Sequence, residues 1–103
     1  MIIYKVIIHI QKNIEKEWIS WMKKEHIPEI MALNIFKKSK LFKVLNVRNL
    51  NFKSYCIEYH CESIDDYENY QKKHAKKIQK KHSKKYEGLF TAERLILSFQ
   101  NGF

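Results

Sequence analysis

A chain of 103 residues that is 45% apolar, with two glycines and one proline, has material for one compact domain and none for a long flexible linker. Its net charge of +9 suggests a polyanionic partner, yet only Arg48 and Arg94 among the 20 basic residues are arginines. Phosphate and base recognition favours the planar arginine fork over a lysine point charge, and the Lys-, Ile- and Asn-rich composition follows the drift of an AT-rich coding genome, so nucleic acid is a possible but not a favoured partner.

The opening MIIYKVIIHI alternates along Ile2 to Ile10, with Ile2, Tyr4, Val6, Ile8 and Ile10 on one face and Ile3, Lys5, Ile7 and His9 on the other. It reads as a central strand. Lys5 and His9 interrupt it and no small-residue cleavage site follows, so it is not expected to be a secretion signal. Asn13 is placed to cap a helix with Glu15 and Glu17 in its first turn and Ile14, Trp18, Trp21 and Met22 along one side. Pro28 should end or kink that helix near Ile27.

A lysine-rich strand from Phe36 to Arg48, a turn through NLNF and a strand from Lys53 to Cys61 then form a hairpin. In the second of these strands Tyr55, Ile57 and Tyr59 share one face, and Ser54, Cys56, Glu58 and His60 the other. Cys56 and Cys61 point to opposite faces as reduced thiols. The stretch SIDD, Ser63 to Asp66, is a capping box for a second helix running to about Lys85, where Gly88 stops it. Phe90 to Phe99 supplies the last strand, with Leu95, Leu97 and Phe99 expected toward the helices and Arg94, Ile96 and Ser98 away from them.

The order βαββαβ folds, by right-handed crossovers, into a ferredoxin-like α+β domain over residues 1–103: a four-stranded antiparallel sheet, order 4-1-3-2, with two helices on one face. In the second helix the pairs Lys72/Lys73, Lys76/Lys77, Lys80/Lys81 and Lys84/Lys85 recur every fourth residue and sweep one broad arc. The remaining arc, Ile64, Tyr67, Gln71, Ala75, Ile78, His82 and Tyr86, is the stripe such a helix presents to a sheet. The lysines are therefore first of all a solvated face. RNA binding by base stacking on the sheet requires exposed aromatics on the two central strands, and the open face there carries none.

That open face is too apolar at Ile3, Ile7 and Ile96 to be simply wet, and too polar at Lys5, His9, Glu58, His60 and Arg94 to be a simple core. A second sheet packed against it resolves the conflict, making the chain its own partner in a homodimer. Glu58 or His60 is then a candidate proton acceptor, with Lys5 and Arg94 holding an anionic ligand and His9 as a further polar contact. The competing reading is an ion-pair cluster of Lys5, Arg94 and Glu58 that sets dimer register. His26, in EHIPE, and His74, at the margin of the second helix, are candidates for lining a pocket mouth.

The segments MIIYKVIIHI, EKEWISWMKKEHIPEIMALNIF, SYCIEYHC and YEGLFTAERLIL, and within them W-x-x-W-M, H-I-P and the Phe90/Arg94 pair, resemble a family of small bacterial proteins without an assigned reaction in the dimeric α/β-barrel superfamily. The resemblance covers nearly the whole chain. It implies a ferredoxin-like protomer whose sheets pair into a barrel, as in cofactor-free monooxygenases, stress-responsive barrel proteins and haem-degrading relatives. It implies no reaction, because that fold hosts many. The chain lacks the asparagine, tryptophan and histidine arrangement of the quinone-forming monooxygenases, and Asn34 stands where a glycine is expected after the first helix. The reading that results is a cytoplasmic homodimer that binds a small, anionic ligand between sheet and helices with no permanent cofactor and no metal. A cofactor-independent monooxygenase or isomerase and a lysine-driven RNA-associated protein are the alternatives; no membrane partner is expected.

Overall fold

Strict alternation in Ile2–Gln11 makes β1 a strand buried on one face, and Tyr4, Val6, Ile8 and Ile10 are each less than a tenth exposed. The computed structural model describes all 103 residues. After β1 come helices α1 (Glu15–Trp21) and α2 (Ile27–Met31), joined without a break by a π-helical turn at Met22–His26. Strands β2 (Lys38–Val44) and β3 (Phe52–Cys61) form the hairpin. Helices α3 (Ile64–Tyr70) and α4 (Lys76–Lys85) are joined by a second π turn at Gln71–Ala75, and β4 (Phe90–Ser98) closes the domain. The sheet is antiparallel in the order β2-β3-β1-β4, the ferredoxin-like arrangement expected from the element order. No helix is long and apolar enough to cross a membrane.

The two helical rods cover one face of the sheet. One end of the core is an aromatic group, Tyr4, Phe36, Tyr59 and Tyr70, with Phe36 and Tyr59 centroids 5.4 Å apart. The other end gathers Trp18, Trp21, His26, His82, Tyr86 and Phe90. The π turns set which residues reach this core. In the first rod Trp18, Met22, His26 and Ile30 are buried at a uniform spacing of four, which a pure α-helix would let drift by about 40° per step. A π turn, with its i→i+5 bonds, takes up the extra residue and keeps them in line.

In the second rod the buried set is Tyr70, Ala75, Ile78, His82 and Tyr86. Two members of the expected stripe fail: Ile64 is 45% exposed and Gln71 is exposed, because the π turn at Gln71–Ala75 rotates the earlier turns relative to the later ones and brings Tyr70 inward. All eight paired lysines are exposed, as a solvated face requires.

Other boundaries differ in instructive ways. Ser63 caps α3 as expected, its hydroxyl accepting from the Asp66 amide at 3.3 Å. Asn13 does not cap α1; it lies in a 3₁₀ turn, and Ile14 occupies the cap without a side-chain bond. Pro28 does not end the first rod but follows directly on the π turn within the continuous run Glu15–Met31, where it forgoes one helix hydrogen bond at a place the helix has already widened. The first hairpin strand is shorter than expected, because Phe36 turns into the core and residues 45–51 form an extended connection.

Asn34 has φ +60°, the left-handed conformation in which glycine is at ease and asparagine is tolerated. The asparagine thus does the work of the expected glycine. Asn34→Ala is expected to cost about 1 kcal/mol and Asn34→Gly almost nothing, read as the urea midpoint; equal losses would show that the side chain matters for another reason.

Candidate functional site

Directly paired residues of antiparallel strands share a face, so the register defines the open face row by row. One row runs Val44, Ser54, His9, Thr91; the next Phe42, Cys56, Ile7, Glu93; then Lys40, Glu58, Lys5, Leu95; and last Lys38, His60, Ile3, Leu97. Lys5 lies at the Glu58/His60 end and His9 at the Ser54/Cys56 end, as the sequence reading placed them.

The last strand faces the opposite way from that reading. Val6 pairs with Arg94 and Ile8 with Ala92, which turns Phe90, Ala92, Arg94 and Ile96 toward the helices. Leu95 and Leu97, expected in the core, lie on the open face, 48% and 37% exposed. Arg94 therefore does not join Lys5 and Glu58. The cause is Phe90, whose ring packs edge-on against His82 at 4.3 Å and anchors the parity of the strand. Both alternating sets of β4 are apolar enough to be buried, so pattern alone could not choose between them.

Two polar centres occupy the open face. In one, Glu58 lies between Lys40 and Lys5 across the strands, and His60 Nε2 is 3.1 Å from its carboxylate. In the other, His9 Nδ1 is 2.6 Å from the Ser54 hydroxyl and His9 Nε2 is 3.1 Å from the Glu93 carboxylate. A carboxylate only accepts, so the neutral imidazole donates from Nε2 to Glu93 and accepts the Ser54 proton at Nδ1. Ser54 and Glu58 are four residues apart on β3, about 13 Å along the strand, so the centres are separate.

The second centre opens into a cleft of about 600 Å³ roofed by the β2–β3 connection, with Ile7, Asn46, Arg48, Phe52 and Thr91 among its walls. Sequence reasoning named His9 but missed Ser54, Glu93 and Arg48. The signal for Glu93 was present, since it shares a parity with Leu95, but only once β4 is turned the right way.

Between sheet and helices lies a second space of about 30 Å³, walled by Tyr4, His26, Tyr70, Gln79, His82 and Arg94. It has room for about one or two waters, not for the ligand expected there. Trp18 Nε1 donates to His82 Nε2 at 2.9 Å, and His26 stacks on Trp21 at 4.8 Å. Burial holds both imidazoles down to about 4, with Glu29 pulling His26 the other way and the positive charge of Arg94 adding to the effect on His82. The His26 Nδ1 and Tyr86 hydroxyl are buried without a protein partner. His26 is thus an interior residue rather than a pocket-mouth one, and His74, half-buried in the second π turn, lines neither space.

Elsewhere Tyr55 donates to Glu15 at 2.7 Å and Lys43 pairs with the same carboxylate at 3.2 Å. The Tyr55 bond is the main reason the Glu15 carboxyl is lowered, and burial, with Glu15 beside it, pushes Tyr55 up to about 12. Burial also raises both thiols, Cys56 and Cys61, which keeps them as inert packing groups.

Known structures share this architecture at low identity. A dimeric ferredoxin-like protein from an uncultured marine organism superimposes with a TM-score of 0.73 at 13% identity, covering 100% of this chain and 98% of the other. A protein from Arabidopsis thaliana gives 0.73 at 11% identity, over 100% and 99% of the two chains. SnoaB, a cofactor-independent oxygenase from Streptomyces nogalater, gives 0.66 at 13% identity, over 98% and 95%. No curated protein matches the chain. Such identities carry the fold alone. A family model described as a domain of unknown function (DUF4286) matches residues 1–99, nearly the whole length, and the chain belongs to that family.

Proposed function

We propose that this protein pairs through its open sheet face into a dimeric α/β barrel and holds a small polar ligand in the cleft at the His9 end of that face. The observation that carries the reading is the composition of the face. Phe42, Leu95 and Leu97 stand 46%, 48% and 37% exposed around half-buried Ile3 and Ile7, an apolar area that isolated soluble domains rarely leave uncovered. A second sheet laid on it hides these side chains and leaves the His9 cleft at the margin, open to solutes. The dimeric state of the ferredoxin-like neighbour from the marine organism supports the same arrangement.

In this arrangement Lys5, Lys40 and Glu58, with His60, set the register of the two sheets by charge. His9 and Arg48 face the ligand, and Arg48 gives an anionic group its partner. Arg94, on the other face, is exposed and reaches the edge of the small space between sheet and helices. A cofactor-independent monooxygenase or isomerase with Glu58 or His60 as base is the second reading, supported by the fold shared with SnoaB and by the 3.1 Å contact between those two side chains on the open face.

Analytical ultracentrifugation checks the pairing. Wild-type protein should sediment as a dimer at micromolar concentration, and Leu95→Lys, which places a charge beside Lys5 twice in a two-fold interface, should weaken association at least about a hundredfold. A wild type that stays monomeric at 100-fold higher concentration sinks the proposal. For the ligand, native mass spectrometry of protein taken directly from cells should show extra mass that His9→Ala protein loses; an unliganded spectrum in both would remove the cleft as a binding site.

A further inference from the structure

Ser54, His9 and Glu93 come from β3, β1 and β4, three strands whose registers bring them into adjacent rows, although they are 45 and 84 residues apart in the sequence pairs that touch. Their hydrogen bonds run in one direction. The Ser54 hydroxyl donates to His9 Nδ1 at 2.6 Å, and His9 Nε2 donates to Glu93 at 3.1 Å. A hydroxyl held by a base that is itself oriented by a third group is the arrangement that activates a nucleophile, recognised by geometry and not by which ring nitrogen plays which part.

A purely structural role explains this network poorly. The His9 and Glu93 side chains are 34% and 67% exposed, and a polar contact that open adds little stability. Ser54, by contrast, is 2% exposed at the cleft floor, so its hydroxyl is fixed rather than free to rotate among waters. Apart from His9, Arg48 is the cationic group among the cleft walls, available to negative charge that develops on a bound carbonyl.

We propose that this trio is an acyl-transfer centre acting on small activated esters, with Ser54 as nucleophile, His9 as base and Glu93 as the positioning residue. The proposal rests on the cleft assigned above as the ligand site, which a single protomer contains. The Ser54 oxygen bonds to the acyl carbon while its proton passes to His9 Nδ1. The carbon–oxygen bond to the alcohol breaks and the departing oxygen takes that proton. Water then repeats the sequence on the acyl-serine, releasing the carboxylic acid and restoring the hydroxyl. No oxidant, metal or further reactant enters the balance.

The test uses an ethyl fluorophosphonate probe, followed by intact-mass and peptide analysis, with p-nitrophenyl acetate hydrolysis measured in parallel. The expected result is one adduct, mapped to Ser54, absent in Ser54→Ala and slowed about a hundredfold or more in His9→Ala, in line with the usual contribution of a general base. Glu93→Gln should slow labelling about tenfold and displace its pH profile, while Glu93→Asp restores the wild-type profile, an outcome a role confined to stability would not produce. Urea midpoints for each variant show that it is folded. Absence of an adduct on folded wild type, or an adduct rate that Ser54→Ala leaves unchanged, overturns the proposal. Sedimentation of the same samples separates the readings: a dimer that takes no label removes the acyl-transfer centre alone, whereas a Ser54 label on monomeric Leu95→Lys protein supports it independently of pairing.

Discussion

Replacing Trp18 with alanine is expected to remove about 3–5 kcal/mol of stability, a large part of the roughly 5–15 kcal/mol that holds a domain of this size together. Trp18 is fully buried, its ring lies 5.1 Å from that of Tyr55, and its N–H donates to His82 Nε2 at 2.9 Å. The truncation therefore empties a large volume where α1 meets β3 and also orphans a buried acceptor. Trp18→Phe weights the second effect, since it keeps a six-membered ring and removes the donor with the smaller part of the indole; about 1–3 kcal/mol of loss is expected from the unpaired imidazole nitrogen, with the lost ring volume adding to it. Urea titrations at matched protein concentration provide the check, because association raises apparent stability. If Trp18→Ala shifts the unfolding free energy by less than about 1 kcal/mol, the packing described for this end of the core is wrong.

Acid should unfold the protein through the same region. His26 and His82 titrate near 4 in the folded chain, chiefly because burial disfavours their charged forms, and near 6.5 when unfolded. Between these values the unfolded chain binds more protons than the folded one, so stability rises with pH across the window and is lost as pH falls through it. Above pH 6.5 their contribution is complete. Each histidine contributes at most about 3–4 kcal/mol of this dependence, and because the two rings lie 5.6 Å apart their effects are not additive. The unfolding free energy measured at pH 7.5 and pH 4.5 should differ by at least about 3 kcal/mol, and His82→Gln, which retains an acceptor for Trp18, should flatten the dependence. A flat wild-type curve between these two pH values would mean that the imidazoles are not buried as described.

Much of the architecture was legible in the sequence because local physics and global fold agree there. The alternation of β1 has one wholly apolar face, SIDD satisfies a helix start with its own side chains, and the lysine pairs leave only one arc of the second rod fit for burial. The order of the elements and the right-handed crossover rule then determine the strand order. Two central strands also carried enough contrast, Tyr55, Ile57 and Tyr59 against Ser54, Glu58 and His60, to orient them. That was sufficient to place Lys5, His9, Glu58 and His60 together on the open face, among the apolar side chains of Ile3 and Ile7.

The last strand and the helical phase were settled by tertiary structure. In β4 either parity buries apolar side chains, and the choice falls to a distant contact, Phe90 against His82, which no pattern within the strand contains. That single choice removed Arg94 from the open face and delivered Glu93 to His9. The two π turns likewise depend on packing: each adds a residue to a turn so that aromatics and histidines keep facing the sheet, and so Tyr70 replaces Gln71 in the core. The sequence by itself determined the elements, their order and the face that is open, because periodicity, capping and chirality act over a few residues. Which side chains meet in the cleft, Ser54 with His9 with Glu93, was decided only when three strands came into register, because that contact exists between segments far apart in the chain and is specified by the packing of all the others.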